Sequence, residues 1–316
     1  MGTISVIIPA YNHAPFVVES LESIFRQTRQ PMEIIVIDDA SSDDTARVIG
    51  GYLRHLPVSK RRMVRFIKHK KNLTPTPTFN EGMESARGDY LVFLPADDWY
   101  APTMLAEEAK ILDAHPEIGV VYSHAFSVRD GERRLAVAEP AGMTTVIGRE
   151  EFGRLLTLGD FVPLLTAMVR RALVTKFGSW DRNLRFHADY EYFIRMAKHT
   201  PFAYLAKSLT YSRIHERNDM FHPDFIPSYE REFAYILEKH LPSSDSALQS
   251  LRHDAYHFYY FRLFMHYVVQ GKFIQGLSFL WKSFLEKPLS FRFLSAWKPF
   301  GWYVKRKTLS LLRNVS

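Results

Sequence analysis

The sequence predicts an α/β fold in which a mostly parallel sheet is flanked by helices, followed by a helical C-terminal region. Two apolar runs, residues 4–9 and 33–37, have the composition of buried parallel strands, and a helical stretch separates them. Each run ends in a polar loop. Because ligands bind at the carboxyl ends of the strands in an open α/β sheet, both loops are expected to open onto one crevice.

The two loops predict the kind of site. The first loop is made of the four residues Pro9, Ala10, Tyr11 and Asn12. A dinucleotide-binding enzyme would have a G-x-G-x-x-G turn at this point, so a dehydrogenase is disfavoured. The second loop begins with Asp38 and Asp39, and paired carboxylates there indicate a nucleotide site of another type.

The remaining elements alternate in the same way. Further strands are predicted over residues 64–67, 90–94, 119–127, 166–170 and 204–213. Helices are predicted over residues 77–86, 102–115 and 148–158, from the 166–170 strand to residue 177, and from about residue 187. Residues 225–316 are predicted to be helical, with an amphipathic stretch over 247–270. The expected organisation is a catalytic domain over 1–222 and a helical region over 223–316.

Composition excludes several classes of protein. At 316 residues and 47 % apolar content, the chain is able to bury a sizeable core. It has no cysteine, which excludes disulfides, thiolate metal sites and a cysteine nucleophile. No uncharged apolar run approaches the length of a membrane-spanning helix. The first strand begins by Ile4, which leaves no room for a secretory signal, so a cytoplasmic location is expected.

The net charge of +7 is concentrated at the C-terminal end of the chain. Residues 261–316 hold ten Lys or Arg and one acid, whereas residues 1–260 hold 31 basic and 33 acidic residues. Phe, Trp and Leu are interleaved with these charges, as in helices that bind an anionic membrane surface from the cytoplasm. The alternatives are a helical subdomain that packs on the catalytic domain, and single-stranded nucleic acid as the partner. Nucleic acid ranks last because no nucleic-acid-binding motif accompanies the segment.

Three motifs occur in a family's order and spacing, namely SVIIPAYN, EIIVIDDASSDDT and GDYLVFLPADD. With an R-x-H segment at residues 213–215, they resemble glycosyltransferase family 2, the inverting nucleotide-sugar transferases with a glycosyltransferase-A fold. The resemblance covers about residues 3–220. It implies transfer of a sugar from a UDP-linked donor to a hydroxyl of a lipid-linked or surface glycan, assisted by Mg²⁺ or Mn²⁺.

The resemblance also implies a role for individual residues. It gives Asp39 a hydrogen bond from the nucleobase, with residues 9–12 lining the base and ribose. It implies that Asp97 and His215 bind the metal ion. It also implies that Asp98 either supports the metal ligands from outside or faces the sugar. Asp189 is the implied catalytic base, while Asn80 and Arg213 are implied donor-binding residues. From the residues alone, Asp39 and Asp189 could also be helix caps. In the same way, Asp97 and Asp98 could belong to a turn, and His215 could be structural.

Two other functions remain open at this point. One is another nucleotide-using transferase, such as a nucleotidyltransferase, although a glycine-rich, basic phosphate loop is absent after Ile8. The other is a catalytically impaired, membrane-associated binding module. Pro95 supports that second hypothesis, because the family usually has the first Asp of Asp-x-Asp-Asp at this position.

Overall fold

A computed structural model of the chain describes residues 1–129, 132–135, 145–147, 153, 155, 162–218, 222–244 and 248–287. The chain divides into two compact units. The first unit contains Met1–Glu151 and Val162–His222, and the second contains Phe152–Phe161 and Pro223–Ser316.

The first unit is built on one ten-stranded sheet. Its strands are β1 (Ile4–Ala10), β2 (Glu33–Asp38), β3 (Val64–Lys68), β4 (Tyr90–Phe93), β5 (Trp99–Tyr100), β6 (Val120–Arg129), β7 (Glu132–Leu135), β8 (Thr145–Ile147), β9 (Ala167–Arg170) and β10 (Phe202–Arg213). Its described helices are α1 (Val17–Phe25), α2 (Thr45–His55), α3 (Val58–Arg61), α4 (Pro75–Ser85), α5 (Met104–Ala114), α6 (Arg171–Phe177) and α7 (Ala188–Ala197).

The sheet runs in the order β3-β2-β1-β4-β9-β6-β10-β5. The four strands β3, β2, β1 and β4 are parallel, so their carboxyl ends meet at one edge. Beyond them the sheet is mixed, because β9 is antiparallel to β4 and β6, whereas β10 is parallel to β6 and antiparallel to β5. The predicted α/β class with flanking helices is confirmed.

Most predicted elements lie within about two residues of the observed ones. The prediction missed the eleven-residue helix α2, and it also missed α3, β5, β7 and β8, each of which has four residues or fewer. Such short segments carry too little periodicity to be recognised. The predicted helix over 148–158 lies outside the described residues, apart from positions 153 and 155.

Tight packing of α4 on β1 holds the sheet edge that carries the loops. A Cβ on Gly82 would lie only 2.4 Å from the Cγ2 of Ile7, so only glycine permits this approach of helix to strand. Ile7 and Ile8 are fully buried, as expected for a strand that is covered on both faces.

The second unit contains α8 (Phe225–His240), α9 (Gln249–Val269) and α10 (Phe273–Glu286). Stacked rings form its core, with centroids 4.0 Å apart for Tyr229 and Phe233 and 6.3 Å apart for Phe233 and Tyr259. The predicted amphipathic stretch corresponds to α9. Residues 288–316, the end of the basic segment, lie outside the described residues.

One face of α10 is apolar and exposed. Its side chains are Ile274, Leu277, Trp281, Phe284 and Leu285, and Trp281 is 61 % exposed. The spacing of these residues places them on one stripe of a helix. In the described part of the chain, no helix is both long and apolar enough to cross a bilayer.

Candidate active site

The loops after β1 and β2 are fastened to each other. Ala10 and Asp38 are register partners, and the backbone N–H of Asp39 donates to the carbonyl of Ala10 at 2.9 Å. Asn12 has a left-handed backbone (φ 58°), which Asn tolerates better than most residues. Its Oδ1 accepts hydrogen bonds from the N–H groups of Ser42 at 2.8 Å and Asp43 at 3.2 Å. Residues 9–12 and 38–43 therefore line the same crevice.

Asp39 is held on one side by its neighbours. Its Oδ1 accepts a hydrogen bond from Nδ1 of His69 at 2.6 Å and another from the backbone N–H of Leu73 at 2.8 Å. The other ring nitrogen of His69, Nε2, lies 2.7 Å from Oε2 of Glu81 on α4. Burial alone would lower the pKa of His69, but the hydrogen bonds and charges of these two carboxylates raise it above its ordinary value.

Asp97 follows β4 and forms a second cluster at the same sheet edge. Its Oδ2 lies 3.0 Å from Nε2 of His215, 3.2 Å from Nδ2 of Asn218 and 3.9 Å from Nε2 of His13. The donor atoms of Asp97, His13 and His215 all lie within 4.8 Å of one another. His13 comes from the β1 loop, whereas His215 comes from the segment after β10, so the cluster joins three distant parts of the chain.

The pKa values of the two neighbouring carboxyl groups, Asp97 and Asp98, are shifted in opposite directions. Burial by itself would raise the pKa of Asp97, but the hydrogen bond from His215 and the charges of His13 and His215 lower it. Burial, together with the charge of Asp97, raises the pKa of Asp98 well above its ordinary value. An Asp98 oxygen accepts the backbone N–H of Arg213 at 2.8 Å, so Asp98 fixes the β10 segment behind Asp97.

The hydrogen bonds of His215 specify its tautomer. In the neutral form of the ring, Nδ1 accepts the backbone N–H of Arg217 at 3.1 Å, and the proton on Nε2 is donated to Asp97. Ligation of a metal through Nε2 requires the other tautomer, with the proton on Nδ1. The Arg217 N–H must then give up this acceptor.

Arg213 is enclosed by rings. Its guanidinium carbon lies 4.6 Å from the ring centroid of Trp99 and 4.9 Å from that of Phe16. The guanidinium also donates to the carbonyl of Asp97 at 3.0 Å and pairs with Glu19 at 2.5 Å. Arg213 therefore helps to position Asp97. A contact between Arg213 and a phosphate group of the donor stays a prediction. Arg217 is exposed at the mouth of the crevice, where it donates to the carbonyl of Asn12 at 3.3 Å.

Asn80 fastens the segment that leads to α7. Its side-chain amide donates to the carbonyl of Trp180 at 2.9 Å and accepts the Trp180 N–H at 2.8 Å, and it is fully buried. The Thr76 hydroxyl donates to the carbonyl of Leu184 at 2.7 Å. Both ends of the Asn80 amide are thus engaged by backbone, and a donor contact from Asn80 stays a prediction.

Asp189 lies in the first turn of α7 and is half-buried. One carboxylate oxygen accepts the N–H of Tyr190 at 2.8 Å. A carboxylate in this position is stabilised by the N-terminal end of the helix dipole. Its role as a base stays a prediction.

Four side chains in these clusters were missed in the sequence: His13, His69, Glu81 and Asn218. A signal existed for His13 and Asn218, because His13 directly follows the PAYN loop and Asn218 lies three residues after His215. His69 stands at the start of a His-Lys-Lys run that reads as a solvated loop.

Comparison with known proteins agrees with this architecture. The sequence profile of Glycosyl transferase family 2 matches residues 5–174, more than half of the chain. An uncharacterized glycosyltransferase of Haemophilus influenzae is 24 % identical over 247 residues, covering 77 % of this chain and 79 % of the relative. The chain covers a smaller part of some other relatives, for example 34 % of proteins from Mycobacterium.

Solved structures show the same fold. TarS 1–349 of S. aureus in complex with UDP-GlcNAc aligns with a TM-score of 0.60 at 18 % identity, covering 92 % of this chain and 93 % of that one. The mannosyltransferase PcManGT from Pyrobaculum calidifontis, in complex with GDP-Man and Mn²⁺, aligns with a TM-score of 0.57 at 17 % identity, covering 100 % and 88 %.

Proposed function

The chain belongs to glycosyl transferase family 2, and from that premise we propose that it transfers a sugar, with inversion, from a UDP-linked donor to a hydroxyl acceptor. The observation that carries the proposal is the crevice at the carboxyl edge of β1, β2 and β4. It is lined by the Asp39 loop and contains the Asp97 cluster. A nucleotide lies in this position in open α/β sheets generally.

The Asp97 cluster has the chemistry of a divalent-metal site. Two imidazoles and one carboxylate suit Mn²⁺ and other transition metals better than Mg²⁺, which prefers oxygen ligands. Asp97, His13 and His215 would hold the ion, which supplies positive charge to a departing diphosphate when it is bound. His13 and His215 compensate for the carboxylate that is absent at Pro95, so the impaired-module hypothesis loses its main support.

The donor is held by the loops around the Asp97 cluster. Asp39 accepts a hydrogen bond from the base, and residues 9–12 line the base and ribose. Tyr11 is 45 % exposed and therefore available to a ligand. The structure favours Arg217 over Arg213 for a phosphate contact, because the guanidinium of Arg213 lies between Trp99 and Phe16.

Asp189 takes the proton of the acceptor hydroxyl while the oxygen of that hydroxyl attacks the anomeric carbon. The bond from this carbon to the diphosphate breaks in the same step, which inverts the configuration. Asp189 lies in the first turn of α7, where the helix dipole favours negative charge.

The acceptor is a lipid-linked or surface glycan, reached at the cytoplasmic face of a membrane. The support is the exposed apolar face of α10. Lys282 lies on the same helix, and Lys272 is its N-cap residue. Such a face inserts into the interface while basic side chains meet anionic lipid. Full-length protein should float with anionic vesicles, and a Leu277→Glu, Trp281→Glu variant should not. Met32→Glu, at an exposed apolar residue of the first unit, is the control. Equal flotation of all three proteins would refute membrane binding by α10.

A thermal-shift panel tests the proposed function. Nucleoside diphosphates and nucleotide sugars are added with and without Mn²⁺ to the full chain. A ligand that binds only the folded state raises the melting temperature. The expected result is stabilisation by UDP and UDP-sugars that increases with Mn²⁺. The absence of stabilisation by any nucleotide, with or without metal, would refute the proposal.

A further inference from the structure

The two carboxylate oxygens of Asp39 have unequal hydrogen-bond partners. Its Oδ1 accepts two hydrogen bonds, from His69 and from the Leu73 N–H, whereas no described residue donates to Oδ2. A carboxylate oxygen has about two lone-pair sites, so Oδ1 is saturated and one acceptor oxygen remains.

His69 is the residue that imposes this asymmetry. Both of its ring nitrogens lie at hydrogen-bond distance from carboxylates, Nδ1 2.6 Å from Asp39 and Nε2 2.7 Å from Glu81. Ionised carboxylates only accept hydrogen bonds, so both nitrogens must donate and the ring is an imidazolium. The side chains of His69 and Asp39 are 9 % and 6 % exposed, which keeps the bond between them away from competing water, whereas Glu81 is 41 % exposed.

The backbone is strained at Thr74, next to the Leu73 N–H that donates to Asp39. Thr74 has φ 75° and ψ 166°, a region that is essentially restricted to glycine. The residue before it, Leu73, directs its N–H at Asp39. The strain at Thr74 is thus adjacent to the second donor that saturates Oδ1.

We infer that His69 is a positioning residue that makes Asp39 a single-oxygen acceptor, so that the pocket selects uracil over guanine. Uracil offers one ring N–H between two carbonyls, which one free oxygen satisfies. Guanine offers an N–H and an adjacent amino group, which need both oxygens of a carboxylate. Guanine would leave one donor unpaired in the pocket, and this lowers its affinity. The inference rests on the proposed nucleotide-binding function of the crevice.

Four variants of the full chain separate the contributions. His69→Ala frees Oδ1. His69→Asn keeps a donor near the position of Nδ1 and should restore the selectivity. Glu81→Gln removes the second anion from the imidazolium. Glu84→Gln is the control, because it changes the same charge on the same helix, where Glu84 contacts Ser179 instead.

The measurement is the ratio of UDP to GDP affinity by isothermal titration with Mn²⁺ present. The wild type and Glu84→Gln should prefer UDP. In His69→Ala the ratio should fall roughly tenfold, the value of one charge-assisted hydrogen bond. The ratio should fall less in Glu81→Gln and recover in His69→Asn. A purely structural role of His69 would weaken both nucleotides equally and leave the ratio unchanged.

The outcomes distinguish this inference from the proposed function. If the wild type prefers UDP and His69→Ala keeps the same ratio, the inference is wrong and the nucleotide-binding function stands. A wild-type preference for GDP overturns the inference and the assignment of a UDP-linked donor, while nucleotide binding by the crevice stands. If the wild type binds neither nucleotide, the proposed function fails and the inference fails with it. Should His69→Ala not fold, the ratios of Glu81→Gln and His69→Asn decide the question.

Discussion

Replacement of His13 by alanine should weaken Mn²⁺ binding by about 10- to 100-fold or more. Nε2 of His13 lies 3.9 Å from Oδ2 of Asp97, and two ligands of one ion at about 2.1 Å each can be up to about 4.2 Å apart. Loss of even an outer partner of a metal ligand commonly costs 10- to 100-fold in affinity. Loss of a direct ligand should cost at least as much, which is about 1.4–2.8 kcal/mol or more.

The assay is titration of Mn²⁺ into chelator-treated protein, followed by calorimetry and by the electron paramagnetic resonance signal of free Mn²⁺. No nucleotide is added, so the result does not depend on donor binding. His115→Ala is the matched control, because that side chain is 47 % exposed and pairs with Glu117 at the end of α5. Asp97→Asn should remove binding altogether, since it deletes the carboxylate that the two imidazoles share.

The reasoning is refuted if His13→Ala binds Mn²⁺ within twofold of the wild type while the circular dichroism spectrum is unchanged. Asp97 and His215 would then be the only protein ligands that contribute to Mn²⁺ binding. Equal weakening in His115→Ala would also contradict the assignment, because the effect would not be specific to the cluster.

Four further predictions follow from other parts of the structure. Asp189→Asn should fold and bind UDP but lose almost all transfer in a sugar-transfer assay; retained turnover would exclude Asp189 as the base. Thr74→Gly should raise the free energy of unfolding by about 1 kcal/mol in urea, because glycine relieves the strain at φ 75° and no cap hydrogen bond is lost. Hydrogen bonds from Arg29, Gly2 and Tyr90 outweigh burial and lower the pKa of Asp113 to about 2. Asp113→Asn should therefore destabilise the protein by about 1–2 kcal/mol at neutral pH, and this difference should disappear as pH falls from about 4 toward 2. The raised pKa of His69 means that its stabilising contribution is complete below about pH 6.5 and is lost as pH rises through the raised value. The unfolding free energies of wild type and His69→Ala should converge at alkaline pH.

The sequence was sufficient to predict the parallel half of the sheet. Apolar runs such as residues 4–9 and 33–37 have one stable arrangement, which is burial on both faces, and polar loops then collect at one edge. The contact between the β1 and β2 loops follows from that topology alone. Because Asp39 and Asp97 each follow one of these strands closely, the sequence was enough to predict that both lie at the same edge of the sheet.

The partners of those carboxylates could not be predicted in the same way. His69 meets Asp39 because β3 is parallel to β2 in a register that pairs Lys68 with Asp38. One residue of slippage would turn the His69 side chain to the other face. Arg213 shows the same limit, because the family resemblance implied a donor contact for it. The rings of Phe16 and Trp99, which come from other segments, determine where its charge lies.

The Asp97 cluster combines two states of His215 that exclude each other. In the state described, the Nε2 proton joins His215 to Asp97 while Nδ1 holds the Arg217 N–H, so the segment after β10 is closed onto the carboxylate. If His215 held a metal through Nε2, the ring proton would reside on Nδ1, and the Arg217 N–H would lose its acceptor. Arg217 is also the exposed arginine at the crevice mouth. If the site binds metal and nucleotide as proposed, metal binding would free the backbone of Arg217 for a contact with the diphosphate, and we would then expect metal and nucleotide to stabilise each other.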